Sequence, residues 1–174
     1  MPEKIIASGK LDRKEYAMLS IYIYYRQPIA IVVTLIGLLV LFFIFLTTQM
    51  NISSDANYIT TGLGLLYAIY ILGRPYLIYK NAYQYFVTSK HLQEEMHYEF
   101  DEDRIVVRGE NFLTEHGWDK FYKITELKSF FLMYHDARLM NIIPKSFFKH
   151  PAEIERLRQL IAAKSHIRQQ LRKS

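Results

Sequence analysis

The hydrophobic pattern is dominated by two long apolar runs rather than by short alternations. Residues 28–48 read PIAIVVTLIGLLVLFFIFLTT, 21 residues long. As a helix rising about 1.5 Å per residue, this run covers the ~30 Å hydrocarbon core of a bilayer. Residues 58–73 read YITTGLGLLYAIYILG, and residues 76–78 extend the run past Arg74, whose long side chain can snorkel. Tyr22, Tyr24 and Tyr25 precede the first run, Tyr58 opens the second, and Tyr76 and Tyr79 follow it. Tyrosine prefers the depth of the membrane interface. The first run is too long and starts too late for a cleaved signal peptide, so it is expected to stay as an anchor.

Outside these runs the texture is that of a small α+β domain. Residues 4–11 read as a short strand. Asp12 with Glu15 three residues on resembles a capping box, opening a helix through Tyr16, Leu19 and Ile23. Residues 77–91 continue the second span as a helix. From about Glu95, short alternating segments separated by turn residues predict some six strands, ending at Pro144. Pro151 starts a last helix, whose apolar stripe is Ile154, Leu157, Ile161, Ile167 and Leu171. The predicted organisation is therefore a strand and juxtamembrane helix over 1–27, a span over 28–48, an external loop over 49–57, a span over 58–78, a connecting helix over 79–94 and a β-module closed by a C-terminal helix over 95–174. The six strands are expected to form a small barrel or sheet with an open edge. The strand over residues 4–11 is expected to pair with them and cover an open edge.

Charge gives the orientation. Twenty-eight residues between Arg26 and Asp55, and 18 between Asp55 and Arg74, carry no charge. Lys4, Lys10, Arg13, Lys14 and Arg26 flank the first span, while Arg74, Lys80 and Lys90 follow the start of the second. The loop over 49–57 has no Lys or Arg. The positive-inside rule then predicts a multi-pass membrane protein with both termini cytoplasmic and the short loop outside. Asn51-Ile52-Ser53 is a glycosylation triplet in that loop, relevant only in a eukaryotic secretory pathway.

Candidate chemistry is sparse. With no cysteine there is no disulfide, thiolate site or cysteine nucleophile. The histidines at 91, 97, 116, 135, 150 and 166 form no HExxH and no i, i+4 pair, so no metal site, cofactor or enzymatic activity is expected. The acidic run Glu99, Asp101, Glu102 and Asp103 reads as a solvated turn, lacking the spacing of a calcium loop. Thr61, Gly64 and Ala68 make a small-residue face on the second span. It suits either packing within the hairpin near Gly37 or homo-oligomerisation. Lys164, Arg168 and Arg172 are spaced i, i+4, i+8, with Lys173 beside them. On a helix they would share one face, either touching anionic lipid or simply solvated.

The segment from Tyr98 onward resembles a known pattern. Tyr98-x-Phe100, Ile105-Val106, Trp118 with Ile124 and Glu126, Leu132-x-Tyr134, and Ile142-Ile143-Pro144-Lys145-x-x-Phe148 are similar to the YcxB-like family of small bacterial membrane proteins. The resemblance implies a cytoplasmic module likened to pleckstrin-homology-like domains, with no catalytic residues. The expected function is non-enzymatic: a two-span anchor presenting a module that binds a membrane-associated protein, its own copy or anionic lipid, with no nucleic-acid partner. The alternative is a small oligomeric channel or a transporter accessory subunit.

Overall fold

The computed structural model describes residues 4–49, 54–137 and 139–172. The chain divides into two compact units, one made of residues up to Leu11 together with those from His91 onward, the other of residues 12–90.

The second unit is helical. The Asp12 carboxylate accepts from the backbone N–H groups of Lys14 (2.8 Å) and Glu15 (3.0 Å). That satisfies donors of the first turn of α1 (Arg13–Tyr25). Pro28 opens α2 (Pro28–Gln49), where its missing N–H costs nothing. α3 (Ser54–Thr88) is one continuous helix of 35 residues, followed in sequence by the short α4 (Lys90–Gln93). It begins inside the expected loop over 49–57, and it joins the second span to the connecting helix without a break. The triplet Asn51-Ile52-Ser53 lies outside the described residues. Pro75 sits within α3 and withdraws a donor from the Ile71 carbonyl. Two windows, Pro28–Leu46 and Thr61–Thr88, are long and apolar enough to cross a membrane.

The first unit carries eight strands in two sheets. β1 (Ile5–Lys10), β2 (Glu95–Phe100), β3 (Arg104–Arg108) and β4 (Leu113–Gly117) form one antiparallel sheet in that order. β1 pairs with β2 from Ile5↔Phe100 to Lys10↔Glu95, so the edge pairing expected of residues 4–11 is present. β5 (Lys123–Glu126), β6 (Phe130–Tyr134), β7 (Met140–Pro144) and β8 (Arg168–Gln170) form the second sheet, in the order β7-β6-β5-β8. Among the described residues an isolated bridge, Ala7↔Phe148, joins β1 to the segment that follows β7. The sheets do not close into a barrel. The architecture is α+β, with Phe100, Ile105, Phe121, Ile124, Phe131, Ile143, Leu157 and Ile161 completely or almost completely buried in the core.

One helix is shorter than its periodicity predicts. α5 (Pro151–Ala162) starts at Pro151, with the His150 N–H donating to the Glu153 carboxylate at 3.1 Å. It stops nine residues before the expected stripe ends at Leu171. The Gln169 amide donates to the carbonyls of Ile161 (2.7 Å) and Lys164 (2.8 Å), satisfying acceptors that a further turn would have used. Ile167 is still buried, but from an extended segment, and β8 runs parallel along β5.

Candidate functional site

The residues of the sequence motif divide into core and a charged lock. Tyr98, Phe100, Trp118, Pro144 and Phe148 are all buried. Tyr98 stacks on Phe100 (6.2 Å between centroids), which in turn stacks on Phe148 at 6.3 Å. The Trp118 indole N–H donates to the Asp101 carbonyl at 3.0 Å. Asp101 itself folds the acidic turn, its carboxylate accepting from the N–H groups of Asp103 (2.9 Å) and Arg104 (2.7 Å). Burial pushes that carboxyl up, but the two backbone donors and the Arg104 charge outweigh it and hold it below the usual range. Tyr134 is half-buried beside Tyr122, with the Lys123 ammonium 5.3 Å from its ring centre.

Lys145 belongs to the lock. Its ammonium lies 2.5 Å from the carboxylate of Glu126, whose side chain has no exposed surface. Arg158 of α5 grips the same carboxylate, Nη2 to Oε1 at 2.7 Å and Nε to Oε2 at 3.1 Å. The backbone N–H of Arg172 adds a further bond at 3.0 Å. Burial would raise the Glu126 carboxyl. The donors from Arg158, Lys145 and the Arg172 backbone reverse that and hold it below its ordinary range. With its oxygens so engaged, Glu126 is neither a free base nor a ligand. It ties β5, the turn after β7, α5 and the segment after β8 into one body. The motif contains Glu126 and Lys145, but nothing in it points to Arg158.

The C-terminal basic stripe is not formed. Its residues lie beyond the end of α5, so Lys164, Arg168 and Arg172 share no helical face, and Lys173 lies outside the described residues. Lys164 donates to the Glu102 carbonyl at 2.5 Å and lies 5.7 Å from the Trp118 ring centre. Arg168 is exposed on β8, with its backbone N–H bonded to the Tyr122 carbonyl at 3.1 Å. The spacing i, i+4, i+8 has meaning only on a helix, and here the chain is extended.

On the second apolar run, Gly64 is buried against Leu41 and Ile44 of α2, and Ala68 is half-buried, while Thr61 is exposed. Tyr67 lies across Gly37, where a Cβ would overlap its ring, and its hydroxyl donates to the Val33 carbonyl at 3.1 Å. Two turns after Tyr67 on α3, Arg74 donates from Nη2 to the Tyr24 hydroxyl and lies 5.3 Å from the centre of the Tyr70 ring. Arg74 Nη1 is buried without an acceptor among the described residues.

Sequence spacing also missed a histidine pair. His116 at the end of β4 and His135 after β6 bring their rings to 4.8 Å, against Phe121. Burial, then the facing His135, lowers the His116 imidazole. Among the described residues no group of three His, Asp or Glu stands together as a metal site.

Two hollows in this unit are lined by described residues. One, of about 420 Å³, lies between Phe100, the Asp101-Glu102 turn and Arg156, Gln159 and Leu160 of α5. The other, of about 170 Å³, is lined by Leu11, His91, Leu92, Met96, Tyr98, Met140, Asn141, Ile142 and Phe147.

Residues 100–161 match the family model described as YcxB-like protein, the family that the motif resembles. No curated protein and no solved structure matches the chain.

Proposed function

We propose that the chain is a non-enzymatic, two-span protein of the bacterial inner membrane. Its α+β unit, a pleckstrin-homology-like module, serves on the cytoplasmic side as a binding module for a membrane-associated partner. The observation that carries this is the outward surface of α2. Ile29, Leu39 and Phe43 are 69%, 67% and 67% exposed, and Leu72 on α3 is 79% exposed. So large a contiguous apolar surface does not persist in water, whereas lipid covers it, and a helix has already paired its backbone groups internally. The β1–β2 ladder adds a topological argument. Both strands belong to one sheet, and residues 12–90 run between them, so the chain crosses a membrane an even number of times. Two spans satisfy that, and the Lys/Arg excess on both flanks favours the cytoplasmic side.

Carbonate extraction and reporter fusions test this reading. The protein should stay in the membrane pellet, with a reporter at Ser54 external and one after Ser174 cytoplasmic. Release by carbonate would overturn the spans, and reversed reporters would overturn the orientation.

A further inference from the structure

We infer that the outward face of the second sheet is a docking surface for anionic phospholipid. Lys123 and Arg168 take the headgroup phosphates, and Tyr122 and Tyr134 lie at headgroup depth. This deepens the reading of the α+β unit as a binding module at a membrane and rests on it.

The argument starts from the turn that ends α5. That turn dissolves the helical basic stripe, but it carries Arg168 onto β8 in register with Lys123 of β5. Lys123 is also the register partner of Tyr134, so the three residues form one row across β6, β5 and β8. Successive side chains of a strand point to opposite faces. The next residues along fix which face this row takes. Ile124 and Met133 belong to the core, and the Gln169 amide reaches back to the Ile161 carbonyl of α5. The row therefore faces away from the core. There the Lys123 ammonium sits 5.3 Å from the Tyr134 ring centre, and Tyr122, 47% exposed, meets that ring edge-on at 6.2 Å. Arg168 is exposed, and no carboxylate pairs with its side chain among the described residues.

Charge selects the occupant. No Asp or Glu stands at an outward position of β5, β6, β7 or β8, since Glu126 faces inward, so this face is positive. The flanking carboxylates are engaged. Asp119 lies 3.7 Å from Lys120, and Asp136 folds its own turn, accepting from the Leu139 N–H at 2.7 Å. Adjacent cations bind phosphate by charge-assisted hydrogen bonds, and tyrosine rings prefer the depth of the headgroups. A nucleic acid offers the same phosphates, but for a unit held by two spans the bilayer is the polyanion within reach. Tethering makes even so small a contact effective.

The test uses the full chain in phospholipid nanodiscs. The chain has no cysteine, so Gln170→Cys carries a single spin label on the same face as Arg168, and Asn111→Cys carries one between β3 and β4 on the other sheet. Contact is read as shielding of the label from a neutral nickel chelate in the water. In phosphatidylcholine discs both labels should be accessible. Adding phosphatidylglycerol should shield the label at 170 but not the one at 111, and high salt should reverse the shielding. Each cation near an anionic surface favours contact by about fivefold, so Lys123→Gln with Arg168→Gln should lower the docked-to-free ratio about 25-fold, while Arg168→Lys should keep it. Absence of shielding, equal shielding in the two lipids, shielding of both labels or full shielding in the double variant would each overturn the surface. So would an oligonucleotide that shields the label in phosphatidylcholine discs as well as phosphatidylglycerol does. Should the double variant not fold, Arg168→Gln alone decides, because that side chain is exposed, and it should lose about fivefold. The discs carry the same lipid in both leaflets, so failure here removes the lipid surface and leaves the spans and their orientation to carbonate extraction and reporters.

Discussion

Two half-buried arginines show how differently the two units treat charge. In the α+β unit, Arg158 meets Glu126 in a two-pronged ion pair, with Lys145 and the Arg172 backbone completing the carboxylate's shell. In the helical unit, Arg74 has no carboxylate partner among the described residues. It leans on the Tyr24 hydroxyl and the faces of Tyr24 and Tyr70, and one of its nitrogens has no acceptor among the described residues. The difference follows from the sequence around each. Eighteen uncharged residues precede Arg74, and a carboxylate inside that apolar stretch would cost more than it returned. Aromatic rings and hydroxyls hold a cation there without bringing in a second charge. A soluble core pairs its ions, whereas an apolar helix pair solvates one with neutral groups.

The largest effect should come from breaking the lock. Glu126→Ala leaves the half-buried Lys145 and Arg158 without their anion and should cost about 3 kcal/mol, read by denaturant unfolding. Replacing both Glu126 and Arg158 by Leu should recover much of that loss. Failure to recover would show that the pair does more than offset its own burial.

That lock also shows what the sequence makes legible. Glu126 and Lys145 stand out through the motif, 19 residues apart, although β6 lies between β5 and β7 in the sheet. Arg158 is hidden, because on α5 it looks like any solvent-facing base beside Glu155. The pairing of residues 4–11 was readable as a missing edge strand. The end of α5 was not: Ile167 is as buried as a continuing helical stripe demands, so periodicity cannot tell the turn into β8 from another helical turn. The cue was Gln169, a side chain able to cap the carbonyls of a helix it has already left. The facing of His116 and His135 depends on the packing of two separate sheets, which local spacing does not encode.

A moderate effect should sharpen the comparison from the helical side. Tyr24→Phe removes the hydroxyl from Arg74 but keeps the ring, and should cost about 0.5–1.5 kcal/mol in unfolding experiments in detergent. Tyr24→Leu removes the ring as well and should cost more. Equal losses would mean that the ring face contributes nothing.

The smallest effect is a pH dependence. The folded His116 imidazole sits below its ordinary value of 6.5, so the unfolded chain takes up the proton more readily. Stability should therefore fall as pH drops below about 6.5 and level off once the folded imidazole also protonates. Glu126, lowered from 4.5, should lose its contribution only at more acid pH, as its folded carboxyl titrates. Thermal unfolding from pH 8 to 5 should show the first decline in the unaltered protein and a flatter profile in His116→Phe. An unchanged profile in that variant would assign the decline elsewhere.

The ladder between β1 and β2 also has a consequence in time. Lys10 and Glu95 are register partners, yet 85 residues of synthesis separate them. At about 5–20 residues per second, a ribosome takes roughly 4–17 s to deliver the second after the first. During that interval β1 emerges with no strand to receive it, and its alternating Ile5 and Ala7 are uncovered. The helical unit is in effect an insertion into a domain that starts before it and finishes after it. Assembly of the first sheet is thereby made to wait on production of the hairpin, so a nascent chain stalled within residues 12–90 cannot close it.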